Sequence, residues 1–136
     1  MVVLNMYTCW LLFLSIYDAY RGLMHTFLYQ QAAKIAGFDF SQQKDNQILL
    51  MTAFGTGNYL TGAIFLFIVF QAPELAPHII GLIGFTYLFS FTVVSNSLNI
   101  KPKGKFPGKT VMKIISFICC MMYLGYGLQL MIHKKV

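Results

Sequence analysis

Apolar residues in this chain fall into four long runs, at about 2–20, 48–70, 78–95 and 111–132, and the stretches between them hold most of the charges. Each run approaches the roughly 20 residues that a helix rising 1.5 Å per residue needs to cross about 30 Å of hydrocarbon. None has the polar phase of period two that a strand of a membrane barrel would carry. Backbone amides in lipid must be satisfied within their own segment, so the pattern predicts four transmembrane helices. The expected fold is an all-α, polytopic four-helix bundle, a single domain over residues 1–136.

The intervening segments sharpen that picture. APELAP, from Ala72 to Pro77, sets two prolines around Glu74 and predicts a tight connection between the second and third runs. NIKPKGKFPGK, from Asn99 to Lys109, predicts a short basic loop. The first connection differs. From Gly22 to Gly37, Met24, Phe27, Leu28, Ala32 and Ile35 recur near helical spacing, with His25, Gln30, Gln31 and Lys34 among the rest. That amphipathic pattern fits an extension of the first helix or a helix lying in the interface, stopped at Gly37. No internal repeat is visible: the second run is rich in Gly and Thr, the fourth in Met and Cys.

Composition supports the bilayer as solvent. Hydrophobic residues make up 57% of the chain and charged residues 10%, against about 45–50% and about 25% in soluble domains. Met1 to Leu14 contains no Lys or Arg and no A-x-A cleavage pattern, so it is expected to be a retained span and no secretory signal. Lys34, Lys44, Lys101, Lys103, Lys105 and Lys109 belong to one side of such a bundle, with Arg21 and Lys113 at its edge; Lys134 and Lys135 belong to the other. The excess predicts cytoplasmic first and third connections and two extracytoplasmic termini. Lys101, Lys103, Lys105 and Lys109 are expected to contact anionic lipid head groups, at about 1 kcal/mol each. Only Phe106 interleaves with them, so no nucleic-acid partner is expected. Cys9, Cys119 and Cys120 lie in apolar runs and read as small packing residues.

Chemistry concentrates in two places. Asp18, Arg21 and His25 are spaced by three and four residues, so a continuous helix carries them as one polar stripe with Tyr17 beside it. One reading makes the stripe an interfacial anchor, with Arg21 reaching phosphate and Tyr17 and Tyr20 in the aromatic belt. The other puts it inside the bundle, as a paired charge at a polar pocket or relay; an intramembrane ionisable residue favours function. In the second run, AFGTGNYLTGA gives a small face of Gly55, Asn58 and Gly62, with Thr52, Thr56 and Thr61 nearby. Such a face suits close helix packing, and Asn58 could instead line a pocket. His78 and His133 open the third run and close the fourth, without companion ligands for a metal. There is no P-loop, G-x-G-x-x-G, H-E-x-x-H or G-x-S-x-G, so no catalytic residue is assigned.

The segments AYRGLMHTFLYQQAAKIAGF and LMTAFGTGNYLTGAIFLF, an amphipathic stretch after one span and a glycine-rich second span, resemble the small four-helix DoxX-like membrane proteins. The resemblance implies that architecture and an association with oxidoreductase or quinone-linked membrane systems. The arginine that many of these proteins carry at the start of the second span is missing here. Three functions are therefore expected in order: a non-catalytic accessory subunit or self-associating bundle; a binding or transport protein whose interior pocket, built from Asp18, Arg21, His25 and Asn58, takes a small amphiphile or proton-linked solute; and a quinone- or haem-holding accessory. No cofactor is expected under the first two. The expected partners are the bilayer and either other membrane subunits or further copies of the chain.

Overall fold

The computed structural model describes residues 5–36, 44–94, 97 and 107–133. Among them all regular structure is helical: α1 (Met6–Thr26), α2 (Tyr29–Ala36), α3 (Lys44–Gln71), α4 (Ala76–Phe89) and α5 (Pro107–His133). A 3-10 turn, Pro73–Leu75, joins α3 to α4, and one π turn, Ser90–Val94, prolongs α4.

Local chemistry sets the ends. Asn5 caps α1: its side chain accepts from the Tyr7 and Thr8 amides, and Thr8 Oγ1 accepts from the Asn5 amide. The helix thus begins at Met6. Its continuous ladder then carries it past Tyr20 to Thr26, because Gly22 alone does not stop it. The Phe27 and Leu28 amides both turn back onto the Leu23 carbonyl, and α2 starts after this turn. The Gly22–Gly37 segment is therefore divided, its first part extending α1 and its second forming α2; Gly37 lies outside the described residues. α5 begins at Pro107, earlier than the apolar run does, since a proline without an amide hydrogen is tolerated in the first helical turn.

Three helical stretches are long and apolar enough to cross a membrane: Lys44–Gln71, Pro73–Val93 and Thr110–His133. α1 has 21 residues but is not among them. Asp18, Arg21 and its hydroxyl-bearing residues lower its hydropathy.

The helices form two antiparallel pairs, α1 with α3 and α4 with α5, which meet mainly through α1 and α4. Both pairs use the same device. In the first, Ser15 Oγ donates to the Gly62 carbonyl at 2.7 Å, and the Tyr59 ring covers Gly22. In the second, Ser116 Oγ donates to the Gly84 carbonyl at 3.0 Å, and the Tyr123 ring covers Gly81. Glycines let the backbones approach, and a short hydroxyl ties them across the gap. Between the pairs lies the core, including Leu11, Leu14, Phe65, Ile80, Ile115 and Cys119, with Trp10 Nε1 donating to Cys119 Sγ at 3.3 Å. Outward faces are apolar as well: Phe54, Leu60 and Phe67 on α3 and Phe117, Leu124 and Leu128 on α5 are exposed. A surface of this kind suits lipid.

Candidate functional site

The stripe on α1 turns inward. Asp18 is buried, with 8% of its surface exposed. Arg21 Nη1 donates to Asp18 Oδ1 at 3.1 Å, as an i, i+3 ion pair. The guanidinium lies over the Tyr17 ring, 5.8 Å from its centre, and Tyr87 of α4 interacts with it from the opposite pair. One turn on, Asn58 Nδ2 donates to His25 Nδ1 at 3.2 Å, which requires the imidazole proton on Nε2. Asp18 and Arg21 therefore make one polar node, and His25 and Asn58 a second one along the same α1–α3 seam.

Glycines fix the depth of this seam. A Cβ on Gly62 would sit 3.0 Å from the Ser15 carbonyl and 3.7 Å from Asp18 Cβ; one on Gly55 would meet Thr26, the Gly22 carbonyl and His25. Gly55 and Gly62 thus face α1, while Asn58 between them bonds it. Thr52, Thr56 and Thr61 each donate to the carbonyl four residues back in their own helix, so their hydroxyls are engaged locally.

Beside the Asp18 node is a cleft of about 340 Å³ between the two pairs, partly open to the outside. Leu14, Tyr17 and Asp18 line it from α1; Thr61, Ile64 and Phe65 from α3; α4 contributes Ile83, Thr86 and Tyr87; α5 contributes Met112 and Ile115. Its volume is at the low end of the range of about 300–1,000 Å³ for ligand sites, and its mostly apolar wall with a few convergent polar groups is their usual composition. His25 and Asn58 are not on this wall.

Tyr87 and Thr86 had no signal in the sequence, because only packing of α4 against α1 brings them to the node. Gly81 and Gly84 did carry one, a small-residue spacing like that of the second run. His78 and His133 are exposed, and His78 meets Tyr126 and Tyr123 edge-on at ring separations of 5.4 and 6.1 Å. No group of three His, Cys, Asp or Glu residues suited to a metal occurs among the described residues. Cys9, Cys119 and Cys120 are free thiols. Lys101, Lys103 and Lys105 lie outside the described residues, and Lys109 is described only as backbone at the start of α5.

What the arrangement defines is a helical membrane protein with a mostly apolar interhelical cleft and an ion pair at its wall. Comparison of the chain with protein-family models, with curated proteins and with solved structures gives no match.

Proposed function

We propose that this is a non-catalytic membrane protein of four spans, with both termini extracytoplasmic, that holds a small amphiphile in the cleft between its helix pairs. One observation carries the reading: Asp18, already paired with Arg21, lines an otherwise mostly apolar cleft of ligand size.

Register supports a depth well inside the hydrocarbon for Arg21. Gly22 faces Tyr59, and Tyr59 is 11 residues from Ile48 and 11 from Phe70, the ends of the second apolar run. At 1.5 Å per residue that is about 17 Å from either end, the middle of a roughly 30 Å slab. An anchor at the head groups would need Arg21 beside an end of α3 instead. The exposed Lys34, Lys44 and Lys113 stand at the end shared by α2 and the starts of α3 and α5, which supports a cytoplasmic assignment for that end.

The test is extraction. Protein purified in a non-lipid detergent is stripped with solvent and the extract weighed by mass spectrometry, beside Ile83→Trp, which fills the cleft. An amphiphile near one per chain in the native protein and depleted in the variant is the expected result. Equal lipid in both would refute the proposal. A stoichiometric protein partner with no cleft-dependent lipid would make the chain an accessory subunit, and a Soret band would make it a haem holder.

A further inference from the structure

We infer that the occupant of the cleft is an uncharged lipophile whose head is a hydroxyl, bound by Asp18 as acceptor. The inference rests on the proposed amphiphile reading and narrows it.

The head group is constrained by which atoms the wall offers. Arg21 does not line the cleft; Asp18, Tyr17 and Tyr87 do. The ion pair uses Asp18 Oδ1, and the Asp18 side chain keeps 12% exposure. No fully buried side-chain oxygen among the described residues lacks a partner, so Oδ2, which the ion pair does not use, keeps some accessibility, and the cleft is the space that Asp18 lines. The guanidinium is engaged elsewhere, over the Tyr17 ring and with Tyr87. Of the two charged residues, only Asp18 is on the wall that a ligand would meet.

Charge then decides. A carboxylate or phosphate head would face Asp18 with like charge in a site with little water. An ammonium head would be attracted to Asp18, but Arg21 already balances that charge, so the complex would hold one uncompensated cation away from solvent. A neutral head leaves the pair balanced. Among neutral heads, an ether, ester or quinone only accepts, so it can use a phenol of Tyr17 or Tyr87 but leaves Oδ2 without a donor. A hydroxyl donates to Oδ2 and still accepts from a phenol on the same wall, where Tyr17 and Tyr87 stand. The remaining lining, Leu14, Ile64, Phe65 and Ile83 among it, suits one short alkyl or isoprenoid chain.

Four probes with a common ten-carbon tail separate these chemistries: decanol, decyl methyl ether, decanoate and decylammonium. Each is titrated calorimetrically into the purified native protein and into Asp18→Leu/Arg21→Leu, in the same micelles so that partitioning into detergent cancels between the two proteins. Decanol should bind the native protein about tenfold more tightly than the ether, as expected for one hydrogen bond to a charged acceptor, and the two should be equal in the double variant. Equal binding of all four probes, or tighter binding of decanoate or decylammonium, overturns the hydroxyl assignment while leaving the cleft a binding site. Failure of every probe, together with unchanged lipid content in Ile83→Trp, overturns both. Where the double variant does not fold, Ile83→Trp, with its cleft filled, is the reference protein in the same micelles, and the tenfold preference for decanol should be lost there.

Discussion

Removing one partner of the Asp18–Arg21 pair tests whether the pair is buried in the bundle or wetted at the head groups. At 3.1 Å two unit charges attract by about 5 kcal/mol at an effective dielectric of about 20 and by about 1 kcal/mol in water, so the environment dominates the outcome. Asp18 and Arg21 side chains are 12% and 24% exposed, which puts the pair on the buried side. Arg21→Leu strands the carboxylate and should cost about 3–5 kcal/mol, as orphaned buried charges do. Asp18→Leu/Arg21→Leu removes both charges and should recover most of that loss, since an apolar replacement of a buried pair is close to neutral. Unfolding in mixed micelles with rising dodecyl sulfate reads the difference. Helical circular dichroism and the fluorescence of Trp10, the only tryptophan, follow the same transition from two positions. An Arg21→Leu cost within about 1 kcal/mol would equal that of an exposed pair and would refute the buried placement.

Two further outcomes follow from the same packing. A Cβ on Gly84 would lie 3.0 Å from the Cys120 amide nitrogen, whereas one on Gly57 meets nothing within 4 Å; Gly84→Val should lose about 1–3 kcal/mol in the micelle assay, and Gly57→Ala should be neutral or gain up to about 1 kcal/mol, equal effects being the refuting result. In a background without native cysteines, Lys34→Cys and Lys113→Cys should react with an impermeant maleimide only after the cytoplasmic face is opened, and Glu74→Cys before it. Reversed labelling would invert the orientation.

The runs of apolar residues made the longer helices legible, because hydrocarbon demands some twenty residues whatever their partners. Helix ends were less legible. The capping box of Asn5 and Thr8 moves the start of α1 to Met6, and the run of apolar letters back to Val2 hides it. Spacing placed Asp18, Arg21 and His25 on one face, which is a property of a single helix and needs no partner. Which helix that face meets is a tertiary fact. The cross-pair contact of Tyr87 with Arg21 and the cleft between α1 and α4 depend on how two helix pairs lean together, and residue spacing carries no record of that.

The residues that make α1 less apolar than the three candidate spans are also the ones that build the site. On the insertion scale an Asp or an Arg at the centre of an isolated helix costs about 2.5–3.5 kcal/mol, and α1 carries one of each in its second half. Pairing lowers the cost, and burial lowers it further: Asp18 packs by Gly62 of α3, and Arg21 lies over Tyr17 with Tyr87 of α4 beside it. That burial depends on Gly62 and Gly55, whose missing side chains admit the α1 backbone, and on the Ser15 hydroxyl that ties it to Gly62. In a four-span protein α1 is then stable across the bilayer chiefly as the partner of α3. Any change that pushes the two apart, such as a side chain at Gly62, should expose the pair to lipid and remove the polar wall of the cleft together, so loss of the span and loss of binding should arise from one substitution.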